Sequence, residues 1–231
     1  MKTIGLIGGT SWNSTLEYYR ILNETVKKKL GGSHSAKCIL YSIDFEDIRE
    51  SLNDEKWEDV AKILIDASKR IEKAGADFIL ICANTLHKIV DDIQENISIP
   101  ILNIIEVTAE KIKEQGIKKV GLIGTRFTMK EDFYKKILEE KYSIEVVLPD
   151  KKDIETLHGI ISDELCKGII KQGSKERIKK IINNLTSRRA EGIILGCTEL
   201  PLLIKQEDID MPIFDTTRIH AISAVECALE N

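Results

Sequence analysis

The sequence predicts an α/β fold of two pseudosymmetric lobes with mainly parallel sheets, and three repeated strings carry that prediction. Ala76-Asp77-Phe78-Ile79-Leu80-Ile81-Cys82-Ala83-Asn84-Thr85 returns 114 positions later as Ala190-Glu191-Gly192-Ile193-Ile194-Leu195-Gly196-Cys197-Thr198-Glu199. Gly5-Leu6-Ile7-Gly8-Gly9-Thr10 returns as Gly121-Leu122-Ile123-Gly124-Thr125, and Ile99-Pro100-Ile101 as Met211-Pro212-Ile213, at offsets of 116 and 112. Three matches in one order at nearly one spacing point to a duplication. The strand strings are short, continuous apolar runs bounded by turn or capping residues, as expected of strands buried in a parallel sheet. Ligands of open parallel sheets sit beyond the carboxyl ends of the strands, so the active site is expected in the cleft between the lobes.

Taken in order, Ile4 to Ile7 form the first strand and Gly8-Gly9-Thr10 turn the chain into a helix from about Thr15 to Leu30, with Ser11 or Ser14 as its cap. The glycines let backbone approach an anion, but their spacing is not that of a dinucleotide or P-loop fingerprint. Lys37 to Ile43 form a second strand. Asp44 to Arg49 follow as a loop or short helix, with Arg49 either a carboxylate-holding cation or a solvated one. Val60, Ile63, Leu64, Ala67 and Ile71 have helical spacing and end at Gly75.

Phe78 to Ile81 deliver Cys82-Ala83-Asn84-Thr85 to the ligand edge, where Asn84 and Thr85 are placed as hydrogen-bond donors. His87, in the next helix, reads more readily as a surface histidine than as support for the site. Pro100 adjoins a fourth strand, and Val107 to Gln115 form a helix that closes the first lobe.

Lys119 to Ile123 open the second lobe, and the turn there carries Thr125 and Arg126. A helix from Lys130 to Lys141, a strand from Ile144 to Leu148, an amphipathic region from Asp150 to Ile170 and a helix from Lys175 to Arg188 follow. The Cys197 strand, a short strand from Pro212 to Phe214 and a last helix from Thr217 to Leu229 complete the chain. The boundaries are 1–115, joined by a C-terminal helix at 216–231 packing back, and 116–215.

A chain of 231 residues with 42% hydrophobic and 31% charged residues can bury a substantial core, and a net charge of −4 gives no reason to expect nucleic acid or an anionic membrane. Small-molecule partners are expected. Five cysteines without CxxC spacing suggest neither a disulfide framework nor structural zinc, and fit reduced thiols in the cytoplasm. No signal peptide or apolar run of about 18 residues is evident.

Cys197 is the candidate reactive group. It ends a strand and faces a helix start, where amide dipoles favour a thiolate. The alternative is a small buried apolar cysteine. In the register of the repeat its counterpart is Ala83, while Cys82 points to the opposite strand face and reads as core.

The strings Gly8-Gly9-Thr10-Ser11-Trp12-Asn13-Ser14-Thr15, Tyr18-Tyr19, Ser42-Ile43-Asp44-Phe45, Asn84-Thr85-Leu86-His87, Gly124-Thr125-Arg126-Phe127-Thr128-Met129 and Gly196-Cys197-Thr198-Glu199 resemble the cofactor-independent aspartate/glutamate racemases across nearly the whole chain. The resemblance implies an isomerase that uses no pyridoxal phosphate and is commonly a homodimer, and no His/Cys/Asp ligand cluster in the sequence suggests a metal. It implies racemisation of aspartate- or glutamate-like substrates by paired cysteines, one taking the α-proton from one face of a planar carbanion and the other returning a proton from the opposite face. Here Ala83 replaces the first cysteine. That departure looks most like an L-aspartate/glutamate-specific branch with threonine at this place, and it implies a one-sided enzyme with Cys197 as base.

By the same resemblance Thr10, Ser11, Ala83, Asn84, Thr85, Thr125, Thr198 and Glu199 line the substrate site and Lys167 holds the distal carboxylate. Two other readings stay open: a single-cysteine decarboxylase of the same fold, like the arylmalonate decarboxylases, and a ligand-binding protein whose catalytic apparatus has decayed.

Overall fold

The computed structural model describes residues 1–230 and divides into two compact units: Met1–Ile104 together with the chain from His220 onward, and Ile105–Ile219. The sequence places the lobe boundary at Gly116. In the structure it falls before the helix that was expected to close the first lobe.

The first unit holds β1 (Ile4–Gly8), α1 (Trp12–Leu30), β2 (Cys38–Ser42), α2 (Glu46–Asn53), α3 (Trp57–Lys73), β3 (Phe78–Ile81), a 3₁₀ turn over Thr85–Ile89 and α4 (Val90–Gln94). Its sheet is parallel in the order β2-β1-β3. The expected fourth strand is reduced to one bridge, Ile79 with Ile101. Side chains alternate across this sheet as a two-residue period requires. Ile4, Leu6, Phe78, Leu80 and Cys82 join a core with Tyr18, Leu22 and Val26 of α1, whereas Ile7, Ile79 and Ile81 join one with Leu64, Ala67 and Ile71 of α3.

Chain direction then passes through α5 (Ile104–Glu114) into β4 (Lys119–Gly124), α6 (Arg126–Lys130), α7 (Asp132–Lys136), a π turn over Ile137–Lys141 and β5 (Glu145–Val147). Next come α8 (Lys151–Asp163), a 3₁₀ turn over Leu165–Lys167, α9 (Gln172–Ser187), β6 (Gly192–Gly196), α10 (Leu200–Leu203), a 3₁₀ turn over Gln206–Asp208, β7 (Ile213–Asp215) and α11 (Thr216–Leu229). The second sheet is parallel in the order β5-β4-β6-β7. The single helix expected over Lys130 to Lys141 is three segments, interrupted at Glu131, whose backbone is extended. Tyr134 of α7 is fully buried and hydrogen-bonded to Thr108 of α5, which accounts for α5 belonging to this unit.

The return of α11 to the first unit is visible in its packing. Ala221, Ala224, Val225 and Ala228 sit in the same core cluster as Tyr18 and Leu80, and the Lys2 amide donates to the Ala228 carbonyl at 2.8 Å.

The duplication extends to backbone detail. Asp77 accepts the Thr3 amide at 2.6 Å and its counterpart Glu191 accepts the Lys118 amide at 2.8 Å, each amide just before an inner strand of its sheet. Ile79 and Ile193 donate to the carbonyls of Pro100 and Pro212, both at 2.9 Å.

Candidate active site

In the first lobe the turn after β1 is shaped by crowding. Gly9 has φ of 96°, and a Cβ there would lie 2.0 Å from the Ile43 carbonyl oxygen, so only glycine fits. The Gly9 amide donates to Thr15 Oγ1 at 3.0 Å, and Thr15 in turn donates to the Ser11 carbonyl at 3.1 Å. Ser11 caps α1 by accepting the Ser14 amide. Thr10 and Ser11 are thereby held, half-buried, at the carboxyl edge of β1.

Two residues past β3 in the same sheet lies Ala83, half-buried and packed against the core that contains Ile79 and Ile81. Cys82 is buried on the opposite face among Leu80 and Tyr18, and burial pushes its thiol far up. Asn84 is buried, and Thr85 begins the 3₁₀ turn.

His87 is not on the surface as the sequence suggests, but 1% exposed. Its Nδ1 lies 2.8 Å from the Ala83 carbonyl, and its Nε2 accepts the Ile104 amide at 3.2 Å. Burial pulls its pKa down to about 4, against the Ala83 and Asn84 backbone groups, so the ring is neutral.

The second lobe repeats the plan with different chemistry. Thr125 caps α6, accepting the Thr128 amide at 3.2 Å. The strand ends lie close together, with a Cβ on Gly124 only 2.7 Å from the Gly196 carbonyl oxygen. One residue past β6, Cys197 shares the face of Ile193 and Leu195, as Ala83 shares that of Ile79 and Ile81.

The Cys197 thiol donates to Glu199 Oε2 at 3.0 Å, and Thr198 Oγ1 donates to the same oxygen at 2.8 Å. The sequence expectation of a favoured thiolate is reversed. Burial, then the Glu199 charge and its hydrogen bond, then Cys166 raise the Cys197 pKa well above that of a free thiol, and the Glu199 amide opposes them only in part. The helix that was to supply the dipole is α10, of four residues, which starts at Leu200 with no side-chain cap from Glu199. Cys197 is therefore a thiol hydrogen-bonded to a carboxylate.

Arg49 and Lys167 are less embedded. Arg49 is exposed and paired with Glu46 at 2.6 Å, and Lys167 is exposed, 3.7 Å from Asp163. Sequence reasoning passed over Cys166, which precedes Lys167; the residue is exposed overall, but shielding of its sulfur, followed by the Glu199 carboxylate, pushes its thiol up to about 12. Its neighbour Leu165, in the same core cluster as Cys197 and Leu200, was the available apolar signal. Among the described residues no three His, Cys, Asp or Glu side chains are gathered to hold a metal ion, and no helix is long and apolar enough to cross a membrane.

The arrangement can therefore move a proton between a sulfur and a carboxylate at a strand end. Comparison with known proteins identifies the family. The family model described as Asp/Glu/Hydantoin racemase matches residues 7–224. The broad specificity amino-acid racemase RacX of Bacillus subtilis is 26% identical, with 98% of each chain covered. The solved structure of an aspartate racemase homologue from Pyrococcus horikoshii OT3 superposes with a TM-score of 0.87 at 44% identity over 100% of both chains. The aspartate racemase of Picrophilus torridus gives 0.78 at 25% identity over 99% of this chain and 94% of the other. Parallel sheets, duplicated strand ends and these matches together show that the chain belongs to the Asp/Glu/Hydantoin racemase family and is an amino-acid racemase, an isomerase.

Proposed function

We propose that the protein acts on L-aspartate- or L-glutamate-like substrates by removing the Cα proton with Cys197, and that its reaction is one-sided. The observation that carries this reading is the Cys197 thiol donating to the Glu199 carboxylate at 3.0 Å, while the corresponding position of the first lobe is Ala83. Glu199 takes the thiol proton, and the resulting thiolate takes the proton from Cα. The pair of electrons left on carbon delocalises into the α-carboxylate; the thiol mostly returns a proton to the same face, which exchanges it, and the slower uptake of a proton from water on the opposite face gives the other enantiomer. A methyl group at Ala83 has no proton to give. In this reading Thr10, Ser11, Ala83, Asn84, Thr85, Thr125, Thr198 and Glu199 line the substrate site and Lys167 meets the distal carboxylate, with no cofactor or metal required.

Cα deuterium incorporation from D₂O, followed by proton NMR on each enantiomer, tests the reading. Exchange of L-aspartate or L-glutamate is expected to exceed D-side exchange by about 100-fold or more, in the range a missing acid or base group costs. Ala83→Thr or Ala83→Cys should raise the D-side rate. Equal exchange of both enantiomers by the unaltered protein would end the one-sided mechanism. One matched thiol also suits a decarboxylase of this fold, and release of CO₂ from an arylmalonate without exchange on the amino acids would favour that assignment.

We further propose a homodimer in the cytoplasm. Trp12, Leu16 and Tyr19, 68%, 60% and 50% exposed, form an apolar stripe along α1 that supports a second copy as partner, and five free cysteines suit a reducing compartment. A monomeric mass by light scattering at micromolar concentration would rule out the dimer.

A further inference from the structure

We propose that His87 is a positioning residue, whose ring clamps the Ala83 carbonyl to the Ile104 amide and thereby fixes the turn that presents Asn84 and Thr85. This rests on the reading above, in which those two residues meet substrate.

The hydrogen-bond pattern leaves one arrangement of protons. A carbonyl only accepts, so His87 carries its proton on Nδ1 and donates to Ala83; Nε2 is then free to accept from the Ile104 amide. Both partners are backbone groups at the ends of regular elements. Ala83 lies past the end of β3, and Ile104 opens α5, where helical amides have no partner within the helix. Apolar packing alone would be met by leucine. A ring with both nitrogens engaged in a site 1% exposed is instead a rigid strut.

A second histidine extends it. His220 Nε2 donates to the Leu102 carbonyl at 2.8 Å, so its Nδ1 accepts the Tyr18 hydroxyl, also at 2.8 Å. The two imidazoles meet edge to face with centroids 5.8 Å apart. Leu102 is two residues before Ile104, so both rings hold the same short segment from opposite ends. That segment is where the chain leaves the first unit, and His220 is where it returns. The polar chain thus runs from α1 and α11 through the crossing segment to the strand end of the first-lobe site.

Hydrogen exchange by mass spectrometry and steady-state kinetics, applied to His87→Leu and His87→Gln, test this. In the leucine variant the amides of residues 83–86 should lose protection, and kcat for Cα exchange should fall by about 100-fold, the usual cost of a small misplacement. Glutamine, which can donate and accept in place of the ring, should restore protection and bring kcat to within a few-fold. Unchanged protection in His87→Leu, or equal impairment in both variants, would overturn the proposal. Should His87→Leu fail to fold, nitrogen NMR of the unaltered protein decides: an Nδ1–H tautomer at His87 supports the strut, and an Nε2–H tautomer overturns it. Absence of Cα exchange in the unaltered protein would sink the substrate reading alone, since protection of the turn is measured without turnover.

Discussion

Replacing Cys197 by serine is expected to lower Cα exchange on L-aspartate or L-glutamate by about 1,000-fold or more, roughly 4 kcal/mol of transition-state stabilisation. Serine keeps the size and the hydrogen bond to Glu199, but its hydroxyl does not yield an anion that a carboxylate can generate. Glu199→Gln separates the two halves of the dyad. It removes the acceptor of the thiol proton and also the negative charge that, after burial, does most to hold the Cys197 thiol up. Exchange should fall by about 100-fold at neutral pH and recover as pH rises, because hydroxide then takes the proton that Glu199 took. Cys82→Ala should change exchange by no more than about two-fold, since Cys82 packs in a core on the other strand face. Rapid exchange by Cys197→Ser, measured by loss of the Cα proton signal, would show that another group is the base.

Stability is expected to fall by several kcal/mol as pH drops from 7 to 5, before most carboxylates titrate. Burial holds His87 at about 4, and burial with the neighbouring His87 holds His220 at about 3, both below the ordinary 6.5. Below 6.5 the unfolded chain binds a proton at each ring and the folded chain does not. The stabilisation is therefore complete above that value and is lost as pH falls towards the folded values. Two protons correspond to a slope near 2.7 kcal/mol per pH unit once both unfolded rings are charged. Half-buried His158, held down by burial and then by Arg126, adds in the same direction. The paired carboxylates Glu46, Asp59, Glu164 and Asp208 are held below their ordinary values, so they respond only at more acid pH. Calorimetry should show Tm lower by roughly 10 °C at pH 5 than at pH 7 for a chain of this size. His220→Gln should flatten the dependence. A Tm that is level across this interval would show that the rings are charged in the folded protein.

Much of the architecture was legible because buried parallel strands are continuous apolar runs, and because the chain states its plan twice. The register that set Cys197 against Ala83 needed only the repeat, and the structure places each on the equivalent face of its own sheet. What escaped depends on partners distant in sequence. His87 looked solvent-facing because its partner Ile104 lies 17 residues on and past a bridge that barely forms a strand. The direction of the Cys197 shift escaped for a local reason: nothing in Cys-Thr-Glu says that the carboxylate turns back onto the sulfur. The break at Glu131 has no glycine or proline to mark it. Nor could composition show that α5 buries Thr108 against Tyr134 and so belongs with the second unit.

The placement of α11 also has a consequence for synthesis. Ala221, Ala224, Val225 and Ala228 complete a layer begun by Ile4, Leu6 and Tyr18, so the lobe made first takes part of its core from a helix made after the second lobe. On a ribosome that adds roughly 5–20 residues per second, α1 can cover its share of that sheet face early, but the share that α11 covers stays open while the whole second lobe is translated. The second lobe has no such dependence on α11, and its own core of Ile123, Leu157, Ile182 and Leu195 lies within a continuous stretch. The first lobe's core thus closes only after the second lobe has been translated, with the docking of α11 as the step that seals it.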